Sequence, residues 1–394
     1  MQRNATACIA AAAALATMAF VPPDAAYLGY FDVNTLACLF ALLAVIRALR
    51  NVGLFEVVAR AAIRRFRTLR GLGSALVGVT LACSMFATND MALLMLLPLS
   101  TVALASTGNE RAIPFAFTMQ AIAANLGGMI LPFGNPQNIF LNARFQIPFP
   151  DFVGTMALPF AVSVALIALC CAVGFKPVPL AGGAQAEDAA STAQAGDVAG
   201  SPIAPARLRD LPRGRTLLYA ALFALSLGMV FHAVPALVGA GAVLLVLLAA
   251  DRRALAQVDW GLLATFVLFF MFSGNMARIP EVQGFFSMLL SQSTLLTSAL
   301  ASQVISNVPA AILLAPFVDG YQALLVGVNI GGAGTLVASL ASLIAFNHFR
   351  AIKRGIRRPG VQALSAKRYL ALFSELNFGF LAVLLAVCLA TGMR

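Results

Sequence analysis

Gly127-Gly128-Met129-Ile130-Leu131-Pro132-Phe133-Gly134-Asn135-Pro136-Gln137-Asn138 sits inside an apolar stretch, 112–143, that is too long for one straight bilayer crossing. Two prolines, three glycines and three amides cannot make a regular helix. Non-helical backbone at membrane depth survives only where it is buried in protein or lines a cavity. The stretch therefore predicts a broken helix inside a polytopic membrane protein. Composition agrees: of 394 residues 61% are hydrophobic and 10% charged, against about 25% charged in an average soluble domain. A soluble domain of this size could not hide so much apolar surface. That excludes a soluble enzyme, a disordered chain and a secreted disulfide scaffold.

Outward from this stretch, spans are expected at roughly 6–21, 33–49, 112–143, 152–174, 216–231, 233–250, 259–277, 321–347 and 369–391. The stretch 321–347 is also over-long and Gly-rich at its centre, a second broken helix. Two further apolar stretches, 72–106 and 293–318, are interrupted by the polar tips Thr88-Asn89-Asp90 and Ser306-Asn307. Two short arms around a polar tip read as a re-entrant hairpin. The expected fold is an all-α polytopic membrane protein: an inverted-repeat transporter with about nine spanning helices, two re-entrant hairpins and two broken helices.

The net charge is +11. With the N-terminus inside, every Lys and Arg except Arg144, Arg278 and Arg394 falls on the cytoplasmic side, as the positive-inside rule requires. This topology puts the C-terminus in the periplasm of a bacterial inner-membrane protein, with the hairpins entering from opposite faces. It also makes a nucleic-acid partner unnecessary. Arg3 and the Ala-rich run after it resemble a signal peptide; an uncleaved first helix is expected, because the repeat below needs it. Residues 175–215 read as a cytoplasmic linker, low in complexity over 181–206. The basic, amphipathic segments 50–70 and 350–368 suit the membrane surface. All six Cys sit in apolar runs without metal-ligand spacing and read as small buried hydrophobes.

An internal repeat orders these parts. Asn89 aligns with Asn307, Ala92 with Ala310, Leu96 with Leu314 and Pro98 with Pro316. Downstream, Asn125-Leu126-Gly127-Gly128 matches Asn329-Ile330-Gly331-Gly332, and Phe145 meets Phe349; upstream, Asp32 and Asp259 open corresponding spans. One unit covers about 6–174 and the other about 233–391, so the chain divides into 1–174, the linker 175–215, and 216–394 with an extra helix before the second unit. Five spans separate the two starts, and an odd number inverts the second copy.

The candidate site follows from the tips and breaks. Asn89, Gly134, Asn135, Asn138, Ser306, Asn307, Thr335 and Ser339 are expected to bind the solute, through amides, hydroxyls and the N–H groups of helix starts. Asp90, a carboxylate at membrane depth, is expected with Thr88, Asn125 and Asn329 to take a coupling ion, Na⁺ or H⁺. Asp90 alternatively caps the second arm of its hairpin. Glu375 and Asn377 read equally as helix-joining groups, Gln120 and Gln303 as cavity lining, and Arg278 as an anion attractor or an anchor. His232 and His348 fall near opposite faces, against a shared metal. No cofactor is expected. Phosphate-binding Gly-Lys-Ser/Thr loops, His-Glu-x-x-His and Gly-x-Ser-x-Gly do not occur, against ATP-driven transport or an intramembrane hydrolase.

At Thr88 to Pro98, Gly127 to Asn138, Ser306 to Ala310 and Asn329 to Ser342 the chain resembles the ion transporter superfamily, in its citrate-transporter-like branch of divalent-anion/sodium symporters and arsenite efflux permeases. The resemblance spans both halves. It implies hairpins meeting near the midplane, a scaffold part and a moving part, often a homodimer, and elevator-like alternating access. Those symporters carry Ser-Asn-Thr at both tips; here the asparagines match as Asn89 and Asn307, while the last positions are Asp90 and Val308. Where they carry Gly-Thr-Pro-Pro-Asn, this chain has Gly134-Asn135-Pro136-Gln137-Asn138. An acidic tip is compatible with proton coupling or efflux. The expected function is secondary active transport of a small anionic solute, such as a di- or tricarboxylate. The rivals are arsenite or antimonite efflux, cation/proton antiport on the same fold, a passive channel and a membrane enzyme.

Overall fold

The computed structural model describes residues 2–63, 66–180, 211–355 and 359–393. The expected low-complexity segment 181–206 lies outside the described residues, as do parts of both basic segments. The described residues form helices and no strand. In chain order these are α1 (Gln2–Met18), α2 (Val33–Asn51), α3 (Leu54–Ile63), α4 (Leu69–Phe86), α5 (Asn89–Ser106), α6 (Ile113–Gly127), α7 (Pro136–Phe145), α8 (Phe149–Gly174) and α9 (Arg213–Val230). The second half continues with α10 (Ala236–Ala250), α11 (Arg252–Ala256), α12 (Trp260–Met276), α13 (Pro280–Ile305), α14 (Asn307–Leu314), α15 (Gln322–Ile330), α16 (Leu340–Gly355), α17 (Pro359–Gln362) and α18 (Ala366–Ala390).

Among the described residues seven helices are long and apolar enough to cross a membrane, and four apolar helices are shorter. Three of the seven, α4, α5 and α13, contain arms of the two helical hairpins.

The sequence explains where these helices start. Asp32 and Asp259, the acids that open corresponding spans, are N-caps: Thr35 N donates to Asp32 Oδ1 at 3.0 Å and Leu262 N to Asp259 Oδ1 at 3.1 Å. Each satisfies one of the orphan amides of a helix start. Thr68 caps α4 in the same way, through Gly71 N at 3.1 Å.

Both hairpins form. In the first, α4 turns at Ala87–Thr88 into α5. In the second, α13 turns at Ser306 into α14. Within α13 the backbone leaves helical geometry at Ser293 (φ −165°, ψ 108°), where the hairpin was expected to begin. The segment before it, not expected as a helix, is helical from Pro280. Both broken helices break where expected: α6 and α7 are separated by 128–135, and α15 and α16 by 331–339. One boundary differs. The second half of the latter crossing was expected to stop at 347, yet α16 runs to Gly355. Its last turn carries Lys353 and Arg354, a charge placement that favours a helix C-terminus.

The packing is reciprocal between the halves. α1 lies along α12, and α2 lies along α10. The first arm of each hairpin packs on the first half of its own broken helix, α4 on α6 and α13 on α15. The second arm of each hairpin also packs there, and in addition meets the second half of the other broken helix, α5 against α16 and α14 against α7. The broken helices are therefore interior elements: the window within 110–130 is 89% buried, against 28% for α8.

Candidate functional site

Four helix starts meet at the two breaks. α5 begins at Asn89, α7 follows Asn135, α14 begins at Asn307 and α16 follows Ser339. Asn125, near the end of α6, links three of them. Its Oδ1 accepts from Asn89 Nδ2 at 3.1 Å and from Ser339 Oγ at 2.6 Å. Its Nδ2 donates to Gly332 O at 3.1 Å, and its backbone carbonyl accepts from Asn135 Nδ2 at 3.4 Å. The fourth start joins through backbone: Asn307 N donates to Ala338 O at 3.0 Å. A helix start carries roughly half a positive charge, so the junction favours negative charge.

Asn329, the repeat partner of Asn125, makes the second knot. Its Oδ1 accepts from Asn135 Nδ2 at 3.3 Å and Gln137 Nε2 at 3.2 Å, and its Nδ2 donates to Asn138 Oδ1 at 2.7 Å and Leu325 O at 2.8 Å. Asn138 Nδ2 in turn holds the unwound carbonyls of Gly128, Met129 and Leu131 at 3.0–3.2 Å. The glycines are steric requirements. A β-carbon at Gly134 would strike the Gly128 carbonyl, and one at Gly128 would strike Asn135 Oδ1.

The hairpin tips share one device. Asn89 Oδ1 accepts from Asp90 N, and Asn307 Oδ1 accepts from Val308 N, each at 2.9 Å. Asn89 thus holds the amide of Asp90, while Thr88, the N-cap residue, makes no side-chain cap bond. Ser306 holds φ 75°, ψ 155°, costly for a residue with a β-carbon. Its Oγ, 3.3 Å from Ala338 O, ties the tip to the second break. Thr335 joins the same group: its N–H donates to Gln303 Oε1 and its Oγ1 to Gln303 O, both at 2.8 Å.

The structure thus brings Asn89, Asn125, Asn135, Asn138, Asn329, Ser339, Ser306, Asn307 and Thr335 into one buried polar junction, with Gly134 in its floor and Asp90 partly buried at its edge. Two residues outside the expected binding set belong there. Gln137 reaches Asn329, and its place in the opening motif was the available signal. Gln303 Nε2 donates to Gly331 O at 2.8 Å and Ala333 O at 3.2 Å, bracing the second break. Three buried polar atoms in or beside the junction have no hydrogen-bond partner among the described residues: Asn135 Oδ1, Gln137 Oε1 and Ser342 Oγ. Asn135 stands at an N-cap position but caps nothing. Buried polar atoms are ordinarily paired, and these three have hydrogen-bonding capacity that the described residues leave unused.

The remaining candidates lie apart. Arg278 forms a two-pronged pair with Asp24, at 3.0 and 2.7 Å, and accompanies Tyr30, so it is an anchor. Gln120 Nε2 donates to Thr80 Oγ1, and Asn377 Nδ2 to Phe373 O, within helix packing. His348 Nε2 lies 3.1 Å from Thr101 Oγ1, joining α16 to α5. His232 is exposed in the turn after α9.

The citrate transporter family model matches residues 1–345. The inner membrane protein YbiR of Escherichia coli is 33% identical over 80% of this chain and 79% of its own length. An uncharacterized transporter of Methanocaldococcus jannaschii, MJ0456, is 27% identical over 79% of each chain. A silicon efflux transporter of rice, LSI3, matches at 32% over 34% of this chain and 27% of its own length. Among solved structures, the YdaH transporter of Alcanivorax borkumensis aligns at 16% identity with a TM-score of 0.47, covering 93% of this chain and 88% of that one. With its interior junction of broken helices and a family model matched over most of its length, the chain is a membrane transporter that belongs to the citrate transporter family.

Proposed function

We propose that the chain is a secondary active permease for a small anion, of the di- or tricarboxylate class, driven by Na⁺ or H⁺ through alternating access. The observation that carries this reading is the meeting of four helix starts in a buried junction of amides and hydroxyls. Carboxylates are stabilised by helix N-termini without a fixed cationic side chain. Asn89, Asn135, Asn138, Ser306, Asn307, Thr335 and Ser339 hold the solute. Asp90, Thr88, Asn125 and Asn329 take the coupling ion. The reciprocal packing of hairpins and broken helices supports two inverted units, and the distribution of Lys and Arg supports a cytoplasmic N-terminus in an inner membrane.

A second reading, export of an uncharged polyhydroxy acid of a metalloid, has two observations in its favour. One relative is named a silicon efflux transporter. The unpartnered Asn135 Oδ1 and Gln137 Oε1 are acceptors suited to O–H donors.

Proteoliposome uptake decides between them. With labelled citrate and succinate, an inward Na⁺ or H⁺ gradient is expected to drive accumulation above equilibrium, abolished by the matching ionophore. Equal flux with and without a gradient would replace the permease with a channel. Gradient-driven movement of arsenite or silicic acid but of no carboxylate would establish the second reading.

A further inference from the structure

We infer that the molecule carries a headgroup site for an anionic phospholipid, separate from the transport junction. A cleft of about 720 Å³ opens where α6 and α18 begin, lined by Arg111, Leu364, Ser365, Arg368, Leu372 and Glu375 among others. Arg111 lies in the turn just before α6 and Arg368 in the first turn of α18. Both are exposed. Among the described residues neither guanidinium makes a side-chain hydrogen bond or ion pair. Two guanidiniums without a partner among the described residues line one cleft, with the Glu110 carboxylate beside its lining residue Gly360; guanidinium recognises phosphate oxygens in a planar, two-pronged way. The start of α18, where Ser365 Oγ accepts from Arg368 N at 3.4 Å, adds the positive end of a helix dipole.

The walls select a lipid over a free phosphate ion. Leu364 and Leu372 line the same cleft, and its volume far exceeds that of one phosphate group. Both arginines stand at helix ends, where a crossing helix leaves the hydrocarbon, so an acyl chain can run along α18 while the phosphate stays at the arginines. Glu375 lies seven residues beyond Arg368, about 10 Å farther along the helix. Its exposed carboxylate repels a phosphate from that end of the cleft, which leaves the arginine end as the place for the headgroup. Basic pockets at the ends of membrane helices recognise lipid phosphates in this way.

The test is thermal unfolding of the purified full chain in neutral detergent, with phosphatidylglycerol, phosphatidylcholine or inorganic phosphate added. Phosphatidylglycerol is expected to raise the midpoint by about 3 °C or more, and the shift shrinks with added salt. Phosphatidylcholine and millimolar phosphate leave the midpoint unchanged. The double variant Arg111→Gln/Arg368→Gln loses most of the shift. Ala371 also lines the cleft; Ala371→Trp, which keeps both arginines and fills the space beside Leu372, also reduces the shift, and this variant decides the matter if the double variant does not fold. An undiminished phosphatidylglycerol shift in these variants overturns the site. Equal shifts with phosphatidylcholine overturn the headgroup preference. A shift produced by inorganic phosphate alone makes the cleft a site for a soluble anion and overturns the lipid.

Discussion

At the first hairpin tip the side chain of Asn89 receives the amide of Asp90; at the second, Asn307 receives the amide of Val308, and both bonds measure 2.9 Å. The backbones before them differ, with φ −27° at Thr88 and 75° at Ser306. The breaks differ more. The first sends amide heads from Asn135, Gln137 and Asn138 into the junction, while the second sends Ser339, Thr335 and backbone carbonyls. The frame is common: an asparagine at each tip, another before each break, and glycines where backbones touch. The chemistry hung on it is not, and the carboxylate stands at one tip alone. A repeated frame with unequal contents can bind and couple at one junction without the two halves doing the same work.

The sharpest way to break this comparison is to remove its charge. Asp90→Asn is nearly isosteric and leaves the Asn89 cap in place, because that cap uses the residue's backbone amide. Gradient-driven uptake is expected to fall about a thousandfold, roughly 4 kcal/mol in the transport barrier, with the unfolding midpoint little changed. Val308→Asn at the opposite tip is expected to leave coupling intact. Equal losses at the two tips would mean that the halves share coupling and that their chemical difference is incidental.

The next contrast lies between the two knots. Asn329→Ala strips bonds from Asn135, Gln137 and Asn138 at once, leaving buried polar groups unpaired. The expected destabilisation is about 3 kcal/mol, read as a fall in the unfolding midpoint in detergent. Ser339→Ala removes a hydroxyl that donates to Asn125 Oδ1, which keeps its bond from Asn89, and that accepts from Ala341 N at 3.0 Å in the first turn of α16, so the cost is about 2 kcal/mol. If Ser339→Ala proves the more damaging, the second break is the mechanical centre.

Much of this was legible in the sequence because the decisive signals were local. Pro132, Pro136 and the glycines of 127–134 cannot sit in a regular helix, so the first break announced itself. Asn89 and Asn307 stood out as polar tips in apolar arms. The partners were not legible. Nothing in the spacing says that Asn125 reaches Ser339, 214 positions away, since that pairing depends on how the two halves pack. Gln303 looked like cavity lining because its side-chain partners, the carbonyls of Ala299, Gly331 and Ala333 and the amide of Thr335, are all backbone groups, which leave no mark in a sequence. The helical character of 280–292 was hidden because its polar residues look the same in a surface helix as in a loop. Arg278 admitted two readings until its partner Asp24, in the loop after α1, was located.

That ion pair supplies the smallest expected effect and tests the reciprocal packing from outside. α1 and α12 are tied at one end by Asp24–Arg278 and deeper in by Asn275 Nδ2 donating to Thr17 Oγ1 at 3.0 Å. The hydrogen bonds from Arg278 hold the Asp24 carboxyl below the usual carboxylate range. A carboxyl lowered in the folded state stabilises above its unfolded value and loses that contribution as pH falls through the lowered one. The pair is solvent-exposed, and exposed ion pairs contribute little. Arg278→Gln should therefore lower the unfolding midpoint by no more than about 1 °C at pH 7, with the gap to wild type constant down to about pH 5 and closing below about pH 4. Molar salt should shrink it as well. A fall of many degrees would mean that the seam between α1 and α12 depends on its outer charge rather than on its buried packing, and that the two reciprocal seams are held by different forces.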